Sequence, residues 1–198
     1  MRILILTALL FASLLPQAAT LHVGSIHTYR SIKSAIYDAQ SGDSIVVHGG
    51  LYKEGNIYID KSLFVLGENM PIIDGQKKVE VLTIKADSVT IKGFRIQYSG
   101  VSTLDDLGGI KVKESNHVLI TENDIYDNFF GIYLQYCKNC IVKNNRIVAF
   151  SKEEQQIGNG IHCWKSDSLV IIHNSVIGHR DGIYFEFVTN SLIWRNIS

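Results

Sequence analysis

The chain has 198 residues, 46% of them apolar and 19% charged, which is enough for one folded core and too apolar for a disordered chain. Lys plus Arg and Asp plus Glu balance at 19 each, so no basic field recruits nucleic acid and no acidic block is present.

The N-terminal stretch MRILILTALLFASLLPQAAT has one positive charge at Arg2, an apolar run from Ile3 to Leu15, then Pro16 and small residues. That is the anatomy of a secretory signal peptide, and the run falls short of the about 20 apolar residues a membrane span needs. The reading is a leader over 1–19, cleaved between Ala18 and Thr20, and one exported domain over 20–198. No later segment could span a membrane, and with Pro71 the only proline after the leader, no Pro-rich linker divides the domain.

Next, SIKSAIYDAQSGD places Ile32, Ala35, Ile36 and Ala39 on one helical face behind a cap at Ser31. The stretches DSIVVHGGLYKEGNIYI (43–59), LFVLGENMPIIDG (63–75) and VTIKGFRI (89–96) are short apolar runs of strand type broken by polar turns.

From residue 109 the pattern becomes a repeat. GIKVKESNHVLITENDI, GIYLQYCKNCIVKNNRI, GIHCWKSDSLVIIHNSV and GIYFEFVTNSLIWRNIS start at Gly109, Gly131, Gly160 and Gly182. The starts are 22, 29 and 22 residues apart, so SKEEQQIGN is an inserted loop; VTIKGFRI aligns with VLITENDI at an offset of 29, which makes VSTLDDLGG a second one. Isoleucines recur one residue after each glycine (Ile110, Ile132, Ile161, Ile183) and asparagines fourteen after it (Asn123, Asn145, Asn174, Asn196). A unit this short cannot bury its own apolar residues, but stacked copies can, each strand bonded to its equivalents at about 4.8 Å.

The predicted fold is therefore all-β, a right-handed single-stranded parallel β-helix with a short N-terminal capping helix. The isoleucines form a stack inside the tube. The asparagines form a ladder at a turn, where Asn tolerates left-handed backbone, and the glycine column marks a bend. The sequence stops at Ser198 inside a repeat, so a C-terminally truncated chain, or an edge covered by another chain, is expected.

The run TYRSIKSAIYDAQSGDSIVVHGGLYKEGNIYIDKSLFVLGENMPIIDG, followed by VLTIKADSVTIKGFRI and the GI…NNRI coils, resembles the NosD family, the periplasmic β-helix proteins of nitrous oxide reductase maturation. The resemblance covers nearly the whole exported chain. It implies a non-enzymatic periplasmic accessory protein that binds copper and works with ABC transporter subunits and with nitrous oxide reductase or its copper chaperone. The family supplies no catalytic motif to carry over.

Candidate ligands follow from the residues. Cys137 and Cys140 form a C-x-x-C whose columns elsewhere hold Ser115, Ser166 and Val188, then Val118, Leu169 and Ser191. Those are small or apolar neighbours, so packing explains the pair first. Copper(I) prefers soft thiolates, and Cys137 and Cys140 with His162 or Cys163 of the next coil could meet if their turns stack. A disulfide between Cys137 and Cys140 would leave Cys163 odd. His162, His173 and His179 point to different sides of one coil, and isolated histidines read as turn or surface residues; His48 sits in the segment that carries the resemblance. Phe185 falls in a core column, and Tyr133 and Tyr184 in an outward one.

The alternative function is a carbohydrate-binding or polysaccharide-degrading β-helix, with an aromatic strip under sugar rings or clustered acids. Its candidate acids, Asp105-Asp106 and Arg180-Asp181, fall in different coils and at different phases of the repeat.

Overall fold

The computed structural model describes residues 17–102, 104–150 and 154–198, apart from the side chain of Glu154. Most of the leader, residues 1–16, lies outside them. The remaining chain winds into a parallel β-helix whose strands form three sheets of eight, six and six strands. Sheet A begins with Thr20–Val23, Ser44–His48 and Phe64–Glu68 and ends with Leu192–Trp194. Sheet B runs from Leu51–Tyr52 to Ser175–Ile177, and sheet C from Ile57–Ile59 through Gly108–Lys113, Phe130–Gln135 and Ile161–Trp164 to Ile183–Glu186.

The expected isoleucine column is present in register, and a second apolar column stacks beside it. Ile110, Ile132, Ile161 and Ile183 stack on sheet C, and Ile120, Val142, Ile171 and Ile193 on sheet A. Strands alternate their side chains, so one column faces the bore while its neighbour faces out. Ile110, Ile132 and Ile161 are fully buried, and burying each stabilises by about 1.5–3 kcal/mol. The 29-residue offset holds too: Ile91 pairs with Ile120 and Ile96 with Ile125. Both insertions leave sheet B and return to sheet C, one between Gln97 and Gly108 and the other between Val148 and Ile161.

The asparagine ladder bonds along the axis. The backbone N–H groups of Asn123, Asn145 and Asn174 donate to the Oδ1 of the next asparagine at 3.1, 3.0 and 2.9 Å, and their Nδ2 groups do the same at 3.1, 3.0 and 3.0 Å. The left-handed backbone sits one residue earlier than expected, at Glu122, Asn144, His173 and Arg195. The turn residue before each ladder asparagine takes the strain, which leaves that side chain free to turn inward and satisfy buried peptide groups. The glycine column differs as well. A Cβ on Gly131 would lie 2.4 Å from the Gly160 carbonyl oxygen, so close approach of the coils, not a bend, requires glycine there.

The helix Ile32–Asp38 buries Ile32, Ala35 and Ile36 in the core, and the Ser31 side chain caps it as predicted. Glu54 reinforces the cap, its carboxylate accepting from the Ile32 and Lys33 N–H groups at 2.8 and 3.0 Å. At the other end Lys61 Nζ donates to the carbonyls of Ile36, Tyr37 and Ala39 at 2.8–2.9 Å. The carboxylate and ammonium thus meet the helix ends whose unpaired groups and dipole favour them. Ahead of the helix, the unpredicted strand Thr20–Val23 pairs with Ser44–His48. No helix among the described residues is long and apolar enough to cross a membrane.

Candidate metal centre

All three cysteines are free thiols with no solvent exposure. Cys163 stacks between Leu134 and Phe185 in the inner column of sheet C. The Cys137 sulfur donates to the Gln135 and Val112 carbonyls at 3.4 and 3.5 Å, and that of Cys140 to Lys138 at 3.2 Å. Hydrogen bonding to the Cys140 sulfur together with burial pushes the Cys137 thiol up, and burial does the same to Cys163. A thiol must deprotonate to ligate a metal, which this environment opposes at Cys137 and Cys163, whereas the hydrogen bond with Cys137 lowers the Cys140 thiol. His162 occupies the alternate strand position from Cys163 and so faces the opposite side of the wall. The fold therefore separates the imidazole from the thiols that the spacing brought near.

A different set converges. Among the described residues, His22, His27 and His48 form a group whose ligand atoms all lie within 4.8 Å of one another. His22 comes from Thr20–Val23, and His48 ends the neighbouring strand of sheet A. His22 pairs with Val46 and Val23 with Val47, so His48 falls beside Gly24. The chain then folds back through a turn in which the His27 N–H donates to the Gly24 carbonyl at 3.1 Å and the Gly24 N–H to the Tyr29 carbonyl at 2.9 Å. That turn lays the His27 ring on the His48 ring, centroids 3.8 Å apart and 11° from parallel. Glycine at position 24 is required: a Cβ there would lie 2.9 Å from His27 Cδ2 and 3.2 Å from His48 Cβ.

The next coil fixes the chemistry of His48. Glu68, its register partner, places Oε2 3.1 Å from His48 Nδ1. A carboxylate only accepts, so it favours the tautomer with the proton on Nδ1, in which Nε2 presents a lone pair. That lone pair lies 3.0 Å from His22 Nδ1, a separation two nitrogens can have on one ion at about 2.0–2.1 Å each. A carboxylate behind a histidine is the usual support of a metal-bound imidazole. Packing, then the neighbouring charges of His48 and His22, lower the pKa of His27, leaving it neutral and able to coordinate at pH 7. His22 is exposed and the other two half-buried, so an ion could enter and leave. Imidazole nitrogens of this kind suit copper and zinc.

The sequence reading missed this cluster. In the sequence His48 stands only as part of the segment that carries the resemblance, and His22 and His27 precede the first coil. Only the unpredicted first strand and the turn after it bring the rings together.

The remaining candidates take their places on the outer wall. Tyr133 and Tyr184 face outward in register with His162, while Phe185 packs against the core. Tyr133 is nevertheless covered, its ring tilted against Phe130 and His162, and burial pushes its phenol up to about 12. Asp106 and Arg180, set apart by coil and phase in the sequence, line one cleft, because the first insertion and the turn between Ser175–Ile177 and Ile183–Glu186 flank the same sheet. His173 lies edge-on to Trp194, and His179 Nδ1 is 3.2 Å from the Gly158 carbonyl.

Comparison with known proteins agrees with this architecture. The structure is similar to alginate lyase from Paenibacillus sp. str. FPU-7, with a TM-score of 0.65 at 17% identity over 87% of this chain and 64% of the lyase, a likeness of fold. In sequence, the chain is 30% identical over 130 residues to "Probable ABC transporter binding protein NosD" of Pseudomonas aeruginosa, a match covering 65% of this chain and 30% of that protein. The chain thus spans about three tenths of that relative's length. The profile of the family described as "Periplasmic copper-binding protein (NosD)" matches residues 36–197, from inside the capping helix to the last coil, and the chain belongs to that NosD family.

Proposed function

We propose that this chain handles copper in the periplasm as an accessory protein of an ABC transporter, rather than as an enzyme, and serves the maturation of the copper centres of nitrous oxide reductase. Its partners in this reading are the transporter subunits and the reductase or its copper chaperone. The observation that carries it is the convergence of His22, His27 and His48 behind Glu68 at the capped end of the tube. Those residues would hold the ion, which supplies an exchangeable load for transfer. The chain's own part is to keep three imidazoles side by side, with Glu68 supporting the His48 ring from Nδ1. The family match starts at residue 36, so two of the three histidines come from the segment before it.

The test uses the full-length protein in a denitrifying bacterium lacking its own NosD, with His22, His27 and His48 changed to Asn. The expected result is copper-deficient nitrous oxide reductase and accumulation of nitrous oxide. A fully loaded reductase in that strain would remove the cluster from the function.

A further inference from the structure

A second site lies on the outer face of sheet C, far from the imidazole cluster in coil order. An open cleft of about 590 Å³ runs between the two insertions, with Ser102 and Asp106 on one side, Gln155 on the other and Trp164, Arg180 and Glu186 along it. Beneath it a chain of hydrogen bonds has a forced direction. Arg180 Nη2 donates to Asn159 Oδ1 at 3.2 Å; arginine only donates, so the amide oxygen must face it. The Asn159 Nδ2 therefore faces His162 Nδ1, 3.2 Å away, and that nitrogen must be the acceptor. Asn159 is fully buried, so both ends of its amide must find their partners inside the protein. The proton of neutral His162 then sits on Nε2, and Nε2 is buried with no hydrogen-bond partner. Glu186 Oε2 stands 3.9 Å off, too far for a hydrogen bond. The ring is held between Tyr133 and Tyr184, at centroid distances of 4.7 and 5.1 Å, so it does not swing to close the gap.

A buried donor without an acceptor is destabilising and marks a place where a ligand oxygen belongs. One hydroxyl set between the two groups accepts from His162 Nε2 and donates to Glu186. The rest of the cleft narrows the chemistry. Two carboxylates, Asp106 and Glu186, against one guanidinium, Arg180, disfavour an anion, and an apolar ligand would strand all three charges. A ligand with many hydroxyls, each both donor and acceptor, satisfies the mixture, and its CH face suits the Trp164 ring. We propose that this cleft binds a neutral oligosaccharide, with His162 and Glu186 sharing one sugar hydroxyl and Trp164 supporting a ring. This site is independent of copper handling.

The test is calorimetric titration of the exported chain with maltohexaose, cellohexaose and chitohexaose as neutral probes and hexagalacturonate as the anionic one. The same titrations on Trp164→Ala and Glu186→Ala, both at partly exposed positions, localise any binding. The expected result is binding of at least one neutral hexasaccharide, weakened tenfold or more in each variant, with copper affinity unchanged in both. Binding of none of the neutral sugars would overturn the proposal and leave water as the partner of His162. Tighter binding of hexagalacturonate, or undiminished binding by both variants, would overturn it equally.

Discussion

The C-x-x-C coil and the imidazole cluster both offer metal-binding side chains, yet the fold treats them in opposite ways. Cys137, Cys140 and Cys163 point into the bore, where Cys137 and Cys140 donate to backbone carbonyls, the hydrogen bond with Cys140 and burial resist the thiolate of Cys137, and burial resists that of Cys163. His22, His27 and His48 gather outside, at the capped end, with ligand nitrogens within 4.8 Å of one another. Ligand chemistry is therefore decided less by residue type than by which side of the wall the side chain takes, and along a strand a shift of one position reverses that side.

If the interior carries stability and the outer cluster carries chemistry, variants should separate the two. The largest effect is expected in the ladder. Asn145→Ala strips the partner from the Asn123 N–H and the Ile120 carbonyl, both inside the wall, and should lower unfolding free energy in urea by about 3 kcal/mol or more. A loss under about 1 kcal/mol would mean the ladder is decorative.

Acid should act next, through His179, whose pKa burial lowers to about 4. Its ordinary value is 6.5, so the unfolded chain takes up the proton first. Its contribution is complete above about pH 6.5 and is lost between there and about pH 4, by up to about 3 kcal/mol. His27 and His162 have lowered values as well, so the informative quantity is the difference between wild type and His179→Gln in urea midpoints from pH 7.5 to 4. Parallel profiles would contradict this assignment.

Two smaller changes sharpen the contrast. Cys163→Ser places a hydroxyl in an apolar column and should cost about 1–2 kcal/mol of stability while leaving copper affinity alone. Glu68→Gln should do the reverse: at a solvent-exposed side chain, stability stays within about 0.5 kcal/mol while copper binding weakens about tenfold through the lost support of His48. Equal changes in both quantities for either variant would blur the division between wall and cluster.

Much of the wall was legible in the sequence, because a repeating coil writes its columns as a fixed spacing: Ile110 to Ile183 and Asn123 to Asn196 could be aligned by counting. The capping helix was legible from Ser31 and the spacing of Ile32, Ala35 and Ile36. The imidazole cluster was not, since it has no repeat. It depends on an edge strand outside the periodic region, on a turn at Gly24, and on register across strands 26 residues apart. The cleft was hidden for a related reason. Asp106 and Arg180 differ in phase, and only the folding of an inserted loop toward the turn of a later coil brings them together.

The most direct measurement is competitive titration of the purified exported chain with copper, in each oxidation state, against a chelator of known affinity. It compares wild type, the His22→Asn, His27→Asn, His48→Asn triple variant, and the Cys137→Ser, Cys140→Ser, Cys163→Ser triple variant. The account predicts at least a hundredfold loss of affinity in the histidine variant, about 2.7 kcal/mol, and wild-type affinity in the folded cysteine variant. Full copper affinity in the histidine variant, with loss in a folded cysteine variant, would contradict it and return the site to the thiols of the C-x-x-C coil.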